Sequence, residues 1–184
     1  MFHSSALRMF FETHKDLPHI SIYHREGYKE HCLLVFDEMS KMTDDSTLLV
    51  AAALHDIAKP RTQALNKRGE PCFYGHEQLT DDEIAVFLTK DDPRFEYVKG
   101  LIWCHMLPYN LRVADGKDFD EELKKACEKL LKKHEIDVEV DDDFMSDLDA
   151  LHSADDDGSV RHDDELVGID KRCKRALTKL EKLR

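Results

Sequence analysis

The stretch "STLLVAAALHDIA", residues 46–58, restricts the fold more than any other part of this chain. Its apolar residues lie on nearly every side of a helical wheel. A surface helix carries one apolar stripe, whereas a helix that is apolar all round belongs inside a protein. The preceding "TDD" supplies N-cap oxygens, and Pro60 predicts an end near Lys59. An enclosed helix needs others packed around it, and the composition suits that: 36% charged, 41% hydrophobic, only seven Gly and five Pro. At 184 residues the chain can bury one core. We therefore expect an all-α, single-domain protein. The polar pair His55 and Asp56 is out of keeping with an enclosed helix, and both side chains can ligate a metal.

Hydrophobic periodicity places the surrounding elements. "EGYKEHCLLVFDEMSKM" sets Tyr28, Cys32, Val35, Phe36 and Met39 in one stripe, with His31 beside it. After a loop at "RTQALNKRGEPCFYG", "HEQLTDDEIAVFLTK" reads as a helix opening at or near His76. "DDPRFEYVKGLIWCHMLPY" reads as a helix with Val98, Leu101, Ile102 and His105 on one face, stopped by Pro108. Residues 118–134 form a charged amphipathic helix, and the acid-rich "EIDVEVDDD" after them reads as a solvated surface, either a loop or a short extended insertion. "DDFMSDLDALHSADDDGS" is a helix with Met145, Leu148, Leu151 and Asp155 on one side, closing at Gly158. A short amphipathic helix is expected in "SSALRMFFETH". The basic "GIDKRCKRALTKLEKLR" is expected to pack on the body through Ile169, Cys173, Leu177 and Leu180 rather than to bind RNA.

Charge narrows the function. A net charge of -12 argues against wrapping a long nucleic acid, which needs clustered Lys and Arg, but leaves a nucleotide or a short RNA end as a partner. Cys32, Cys72, Cys104, Cys127 and Cys173 are odd in number and form no C-x-x-C, so neither a disulfide framework nor a zinc ribbon is indicated, and a cytoplasmic location is expected. No run has the length of a signal-peptide core or a membrane span, so no membrane partner is expected. A homo-oligomer stays open.

His31, His55 with Asp56, His105 and Asp155 thus share faces with apolar residues, and His76 opens a further segment. A single histidine in such a place is ordinarily a hydrogen-bonded core residue. Burying an ionised carboxylate, by contrast, is costly unless it is paired or holds a metal. The partners available to Asp56 and Asp155 are mostly histidines, and imidazole with carboxylate is a ligand set for divalent transition metals. His152 and Asp156 would replace Asp155 if the helix register shifted.

In chain order, His31, "HD" at 55 and 56, His76 in "GHE", His105 in "CHM" and Asp155 in "ADDDG" resemble the HD-domain metal-dependent phosphohydrolase superfamily. With their flanks, "HREGYKEHCLLVF", "AALHDIAKP", "FYGHE", "LIWCHM" and "ADDDG" are similar to the HD domain of bacterial tRNA nucleotidyltransferases, over residues 24–158. The whole chain, 1–184, then reads as one HD domain: a lead-in at 1–23, a metal-binding core at 24–158 and a C-terminal basic helix at 159–184. Three features depart from those relatives. Ala58 stands where Gly is usual, an acidic insertion at 135–143 precedes Asp155, and no nucleotidyltransferase domain lies upstream, so CCA addition is not expected.

The resemblance implies that His31, His55, Asp56 and Asp155 hold one ion and that His76 and His105 add a second, with Asp56 bridging the two. Mn, Ni, Co, Fe or Zn would suit these ligands, and Mg is compatible. Two ions about 3.5–4 Å apart activate a water and clamp the oxygens of an in-line phosphoryl displacement, so Asp56 is a catalytic residue as well as a ligand. Lys59 either contacts the scissile phosphate or protonates the leaving oxygen, or is a solvated helix-end lysine at the dipole. Arg61 is a phosphate candidate, and His24 and Glu26 resemble positions near the substrate mouth. Glu77 either orients His76 or caps a helix. The implied substrates are phosphomonoesters or phosphodiesters of nucleotides or RNA ends, including 2′,3′-cyclic phosphates. The alternatives are a deoxynucleotide mono- or triphosphate phosphohydrolase, a non-catalytic nucleotide-binding regulatory HD protein, and a metal-stabilised helical domain without an open coordination position.

Overall fold

The computed structural model describes residues 1–13, 26–160 and 168–183. In order, the elements are α1 (Ser4–Thr13), α2 (Tyr28–Met42), α3 (Ser46–Leu54), α4 (Lys59–Thr62), β1 (Ala64–Leu65), β2 (Pro71–Cys72), α5 (Asp81–Ala85), α6 (Phe95–Cys104), α7 (Leu107–Asn110), α8 (Phe119–Lys133), α9 (Asp142–Gly158) and α10 (Ile169–Leu180). The protein is all-α, as expected. Its small antiparallel hairpin pairs Ala64 with Cys72 and Leu65 with Pro71. No helix of the described residues is long and apolar enough to cross a membrane.

The centre is α3, whose residues from Leu48 to Leu54 are all buried. α2, α6 and α9 pack against it, and α9 also packs against α2 and α6. Asp45 caps its start, accepting from the Thr47 N–H. The helix ends sooner than Pro60 suggested. Ile57 N bonds to Leu54 O and Lys59 N to Asp56 O, both at 3.0 Å, so i→i+3 bonds tighten the turn that carries His55 and Asp56. Pro60 instead falls in the first turn of α4, where a missing N–H costs nothing. The same device recurs after α6: His105 N reaches Ile102 O, and Pro108 opens α7 rather than stopping the chain. Ala58 sits at φ -86°, a right-handed conformation that does not call for glycine.

α2 buries its expected stripe and more, because α10 covers a further side. Asp37 there is wholly buried and is gripped by Arg175, whose Nε lies 2.7 Å from Oδ1. Burial pushes the Asp37 carboxyl up, but Arg175 holds it below its usual value. α10 buries Ala176 and Leu180, with Cys173 and Leu177 packed against the core.

Two expectations need correction. The helix expected from His76 is confined to Asp81–Ala85, because Thr80 and Glu83 form a reciprocal capping box that fixes a later start. His76 lies before it on a turn, preceded by Gly75 in the left-handed region at φ 81°. The acidic segment is only partly solvated. Ile136 and Val140 are buried, Val138 fits against Gly100 of α6, and Asp141 caps α9 by accepting from Phe144 N at 2.8 Å.

α9 closes on α2 through Gly158, where an added Cβ would lie 2.6 Å from Val35 Cγ2 and 2.8 Å from Val35 N. Backbone cannot move aside as a flexible side chain can. Gly158→Ala is therefore expected to lose about 1–3 kcal/mol in urea unfolding. Wild-type stability in that variant would mean that α2 can give way there.

Candidate metal centre

Three of the four core histidines are set by one local device. The Nδ1 atoms of His55, His76 and His105 lie 2.9, 2.7 and 2.6 Å from the carbonyls three residues back, those of Ala52, Phe73 and Ile102. At a helix end or in a turn the regular i→i+4 ladder stops. His76 N and His105 N reach two of these carbonyls at 3.2 and 3.4 Å, but a carbonyl oxygen has a second lone pair, so the ring can donate to it, which fixes the tautomer and leaves Nε2 as the acceptor. His31 lies inside α2, where the equivalent carbonyl belongs to the helix's own ladder. Its Nδ1 instead faces Glu26 Oε1 at 3.2 Å.

All four Nε2 atoms then converge on two carboxylates. His31 Nε2 is 3.4 Å from His55 Nε2 and 2.9 Å from Asp155 Oδ1, and these three residues form one candidate ligand group. His76 Nε2 is 3.2 Å from His105 Nε2 and 3.1 Å from Asp56 Oδ1, which makes the second group. Asp56 spans both, since its Oδ2 is 3.4 Å from His31 Nε2 and 3.4 Å from His55 Nε2. Ligand atoms bonded at 2.0–2.2 Å to one ion stand about 3–3.5 Å apart. Both Asp56 oxygens are closed off from solvent without a hydrogen bond of regular geometry. Imidazole lone pairs aimed at carboxylates need a cation between them, so the donor set fits divalent metal.

The family model of the HD domain matches residues 28–154. The chain belongs to the HD domain family. No curated protein and no solved structure matches it. HD domains bind divalent metals and are broadly metal-dependent phosphohydrolases. The match stops one residue short of Asp155, which the geometry adds to the cluster.

The electrostatics of this HD domain show how strongly the cluster wants positive charge. Burial raises the pKa of Asp56, but Lys59, His55 and His76 hold it well below the usual carboxylate range. Burial also opposes ionisation of Asp155, and His31 and His55 reverse that. His105 is pushed down to about 3 by burial and by the neighbouring imidazoles. Burial alone would strip the proton from His55, yet Asp56 and Asp155 push it up to about 10. A group whose folded pKa is raised stabilises fully below its unfolded value, about 6.5, and loses that contribution as pH climbs through the folded one. Chelated protein should therefore lose up to about 1.4 kcal/mol per pH unit from this histidine as the solution becomes alkaline. A metal ion on the imidazole displaces the proton and removes the slope. Thermal midpoints of chelated and metal-loaded protein should diverge between about pH 7 and 9.5, and parallel curves would contradict the assignment.

The cluster opens on one side into a cavity of about 400 Å³, lined by Asp56, Lys59, His76, His105, Tyr109 and Asp155 among others. A groove of about 650 Å³ along Phe119, Glu121 and Asp142 contains none of the six candidate ligands. Lys59 is buried at the cavity, with Nζ 2.5 Å from Asp56 Oδ2, so it is not a solvated helix-end lysine.

Other candidates fall elsewhere. Glu26 is buried behind His31 and accepts from Val160 N at 3.1 Å, so it stands away from the mouth where a substrate would enter. Arg61 turns to Glu83, 2.6 Å from Oε1, and does not line the cavity. Glu77 Oε2 is 3.8 Å from His76 Nδ1, whose place is already taken by the Phe73 carbonyl, and the capping box uses Glu83 instead. His24 lies outside the described residues. His152 packs on the Tyr109 ring and Asp156 lines the cavity, while Asp155 alone of the three joins the histidines. Sequence reasoning missed Tyr109, which donates to Asp155 Oδ2 at 3.2 Å, and Arg112 at the cavity wall. The signal was Pro108, read as a stop although it equally marks the first turn of a new helix.

Proposed function

We propose that this HD domain hydrolyses phosphate esters of nucleotides or RNA ends. His31, His55 and Asp155 would hold one divalent ion and His76 and His105 a second, with Asp56 available to both. The observation that carries this reading is the meeting of two ligand groups on the two oxygens of one buried carboxylate, beside an open cavity. A structural metal site is closed, whereas a catalytic one keeps a face for water and substrate. Bound ions supply an activated water and neutralise phosphate charge. Around them, Tyr109 holds Asp155 Oδ2 and leaves Oδ1 to the histidines. Lys59 sits beside Asp56, where a protonated amine can meet a phosphoryl oxygen or give its proton to the leaving oxygen. The open cavity disfavours a purely structural role.

The preference for nucleotides and RNA ends draws on the similarity of residues 24–158 to tRNA nucleotidyltransferase HD domains, and we take residues 1–184 as one working domain. A matrix of Mn, Co, Ni, Fe and Zn against 2′,3′-cyclic nucleotides, nucleoside monophosphates, deoxynucleoside triphosphates and an aryl phosphodiester tests it. Hydrolysis of the cyclic or monoester substrates is expected. Release of inorganic tripolyphosphate would transfer the assignment to a triphosphohydrolase, and inactivity toward every ester in every metal form would remove it.

A further inference from the structure

Arg112 comes two residues after the end of α7 and lines the same cavity as His105 and Asp56. Its Nη1 donates to the carbonyls of Tyr109 and Leu111 at 3.2 and 3.4 Å. Those bonds hold one corner of the guanidinium, while the Nε–Nη2 edge has no hydrogen-bond or carboxylate partner among the described residues. That edge presents two parallel N–H groups, the geometry that grips a phosphate or carboxylate bidentately.

The lack of a partner stands out in this chain, where 39 acidic residues face 27 basic ones. Arg8 pairs with Glu12, Arg61 with Glu83, Arg94 with Asp92, Arg172 with Glu38 and Arg175 with Asp37. Arg68, exposed like Arg112, also has no carboxylate partner among the described residues, but it lies in the turn between β1 and β2, away from the cavity that Arg112 lines. Of the three carboxylates that line the cavity with Arg112, Asp56 and Asp155 are committed to the histidine cluster, and Asp156 forms no ion pair with Arg112. An oxyanion arriving with the ligand can supply the missing counter-charge.

We infer that Arg112 is a specificity-determining residue that binds a second phosphate of the substrate, remote from the one being cleaved. This rests on the phosphohydrolase reading above. With the scissile phosphate at Asp56 and His105, the organic part lies along Met106 and Tyr109 and the second phosphate reaches Arg112. A cavity of about 400 Å³ is at the small end of the range for small-molecule sites and suits one nucleotide. The second phosphate is either a free monoester on that nucleotide or the adjoining phosphodiester of a chain end.

The test compares kcat/KM of metal-loaded protein for adenosine 3′-phosphate, adenosine 3′,5′-bisphosphate and the 3′-phosphorylated dinucleotide ApAp. Wild type is expected to favour at least one of the two substrates that carry a second phosphate by about 10- to 100-fold. Preference for the bisphosphate alone identifies a free nucleotide, and preference that includes the dinucleotide identifies a chain end. Arg112→Gln should bring the ratio close to one, with Arg112→Lys between. No preference in wild type, or a preference that survives Arg112→Gln, overturns the inference. Should nothing be hydrolysed, the phosphohydrolase reading fails separately, and thermal shift decides on Arg112. Adenosine 3′,5′-bisphosphate must then stabilise wild type more than adenosine 3′-phosphate does, and Arg112→Gln must abolish the difference; equal shifts in wild type overturn it.

Discussion

Asp56→Ala is expected to lower phosphohydrolase activity by at least about a thousandfold, equivalent to about 4 kcal/mol of transition-state stabilisation. No other residue of the cluster faces both ligand groups. Its Oδ1 lies 3.1 Å from His76 Nε2 and its Oδ2 3.4 Å from both His31 and His55 Nε2, so truncation takes an oxygen ligand from both groups together. His105→Ala, by contrast, touches only the second group. Metal content should follow that order, with Asp56→Ala losing more bound metal than His105→Ala. The alanine variant also leaves Lys59 buried without the carboxylate 2.5 Å from its Nζ, which costs stability independently of metal. Asp56→Asn, which keeps the shape, separates the two effects: it should stay folded and remain inactive. Full activity with undiminished metal in either variant would remove Asp56 from the chemistry.

What could be read from the chain beforehand follows the reach of each signal. The enclosed α3, the stripe of α2 and the face of α9 carrying Asp155 were legible because helical periodicity and burial act on every turn. Element ends were less so. Pro60 and Pro108 were read as stops, although a proline is equally at home in a first turn, and the tightened bonds at Ile57 and Lys59 leave no trace in residue type. His76 was misplaced within its segment because a capping box that begins four residues on competes with a weak periodicity. For the site, residue type and order pointed to the six candidate ligands, since buried carboxylates need partners. Order could not say what stands behind a ligand or across the cavity. Glu26 and Arg61 looked alike as polar residues near the motif, but one is enclosed behind His31 and the other is paired with Glu83. Tyr109 and Arg112 carried no motif, and their places depend on where α7 turns the chain.

Glu26 is the residue whose part changes most, and its replacement has the second large effect expected here. One carboxylate oxygen faces His31 Nδ1 at 3.2 Å and the other accepts from Val160 N at 3.1 Å. The side chain therefore ties the start of α2 to the chain leaving α9, the two helices that bring His31 and Asp155 together. Glu26→Ala leaves two buried donors without these acceptors, at about 1–3 kcal/mol each, and should weaken metal binding by about 10- to 100-fold. Glu26→Gln isolates the electrostatic part. A carboxamide accepts through one atom only, so keeping the Val160 bond turns an NH₂ group toward His31. The imidazole then moves its proton from Nδ1 to Nε2, and the lone pair aimed at Asp155 and His55 is lost. Metal titration of chelated protein should show weakened binding in both variants, with the larger stability loss confined to alanine. The ¹⁵N shifts of His31 in the glutamine variant should report the reversed tautomer. Wild-type metal affinity in both would show that His31 needs no partner behind it.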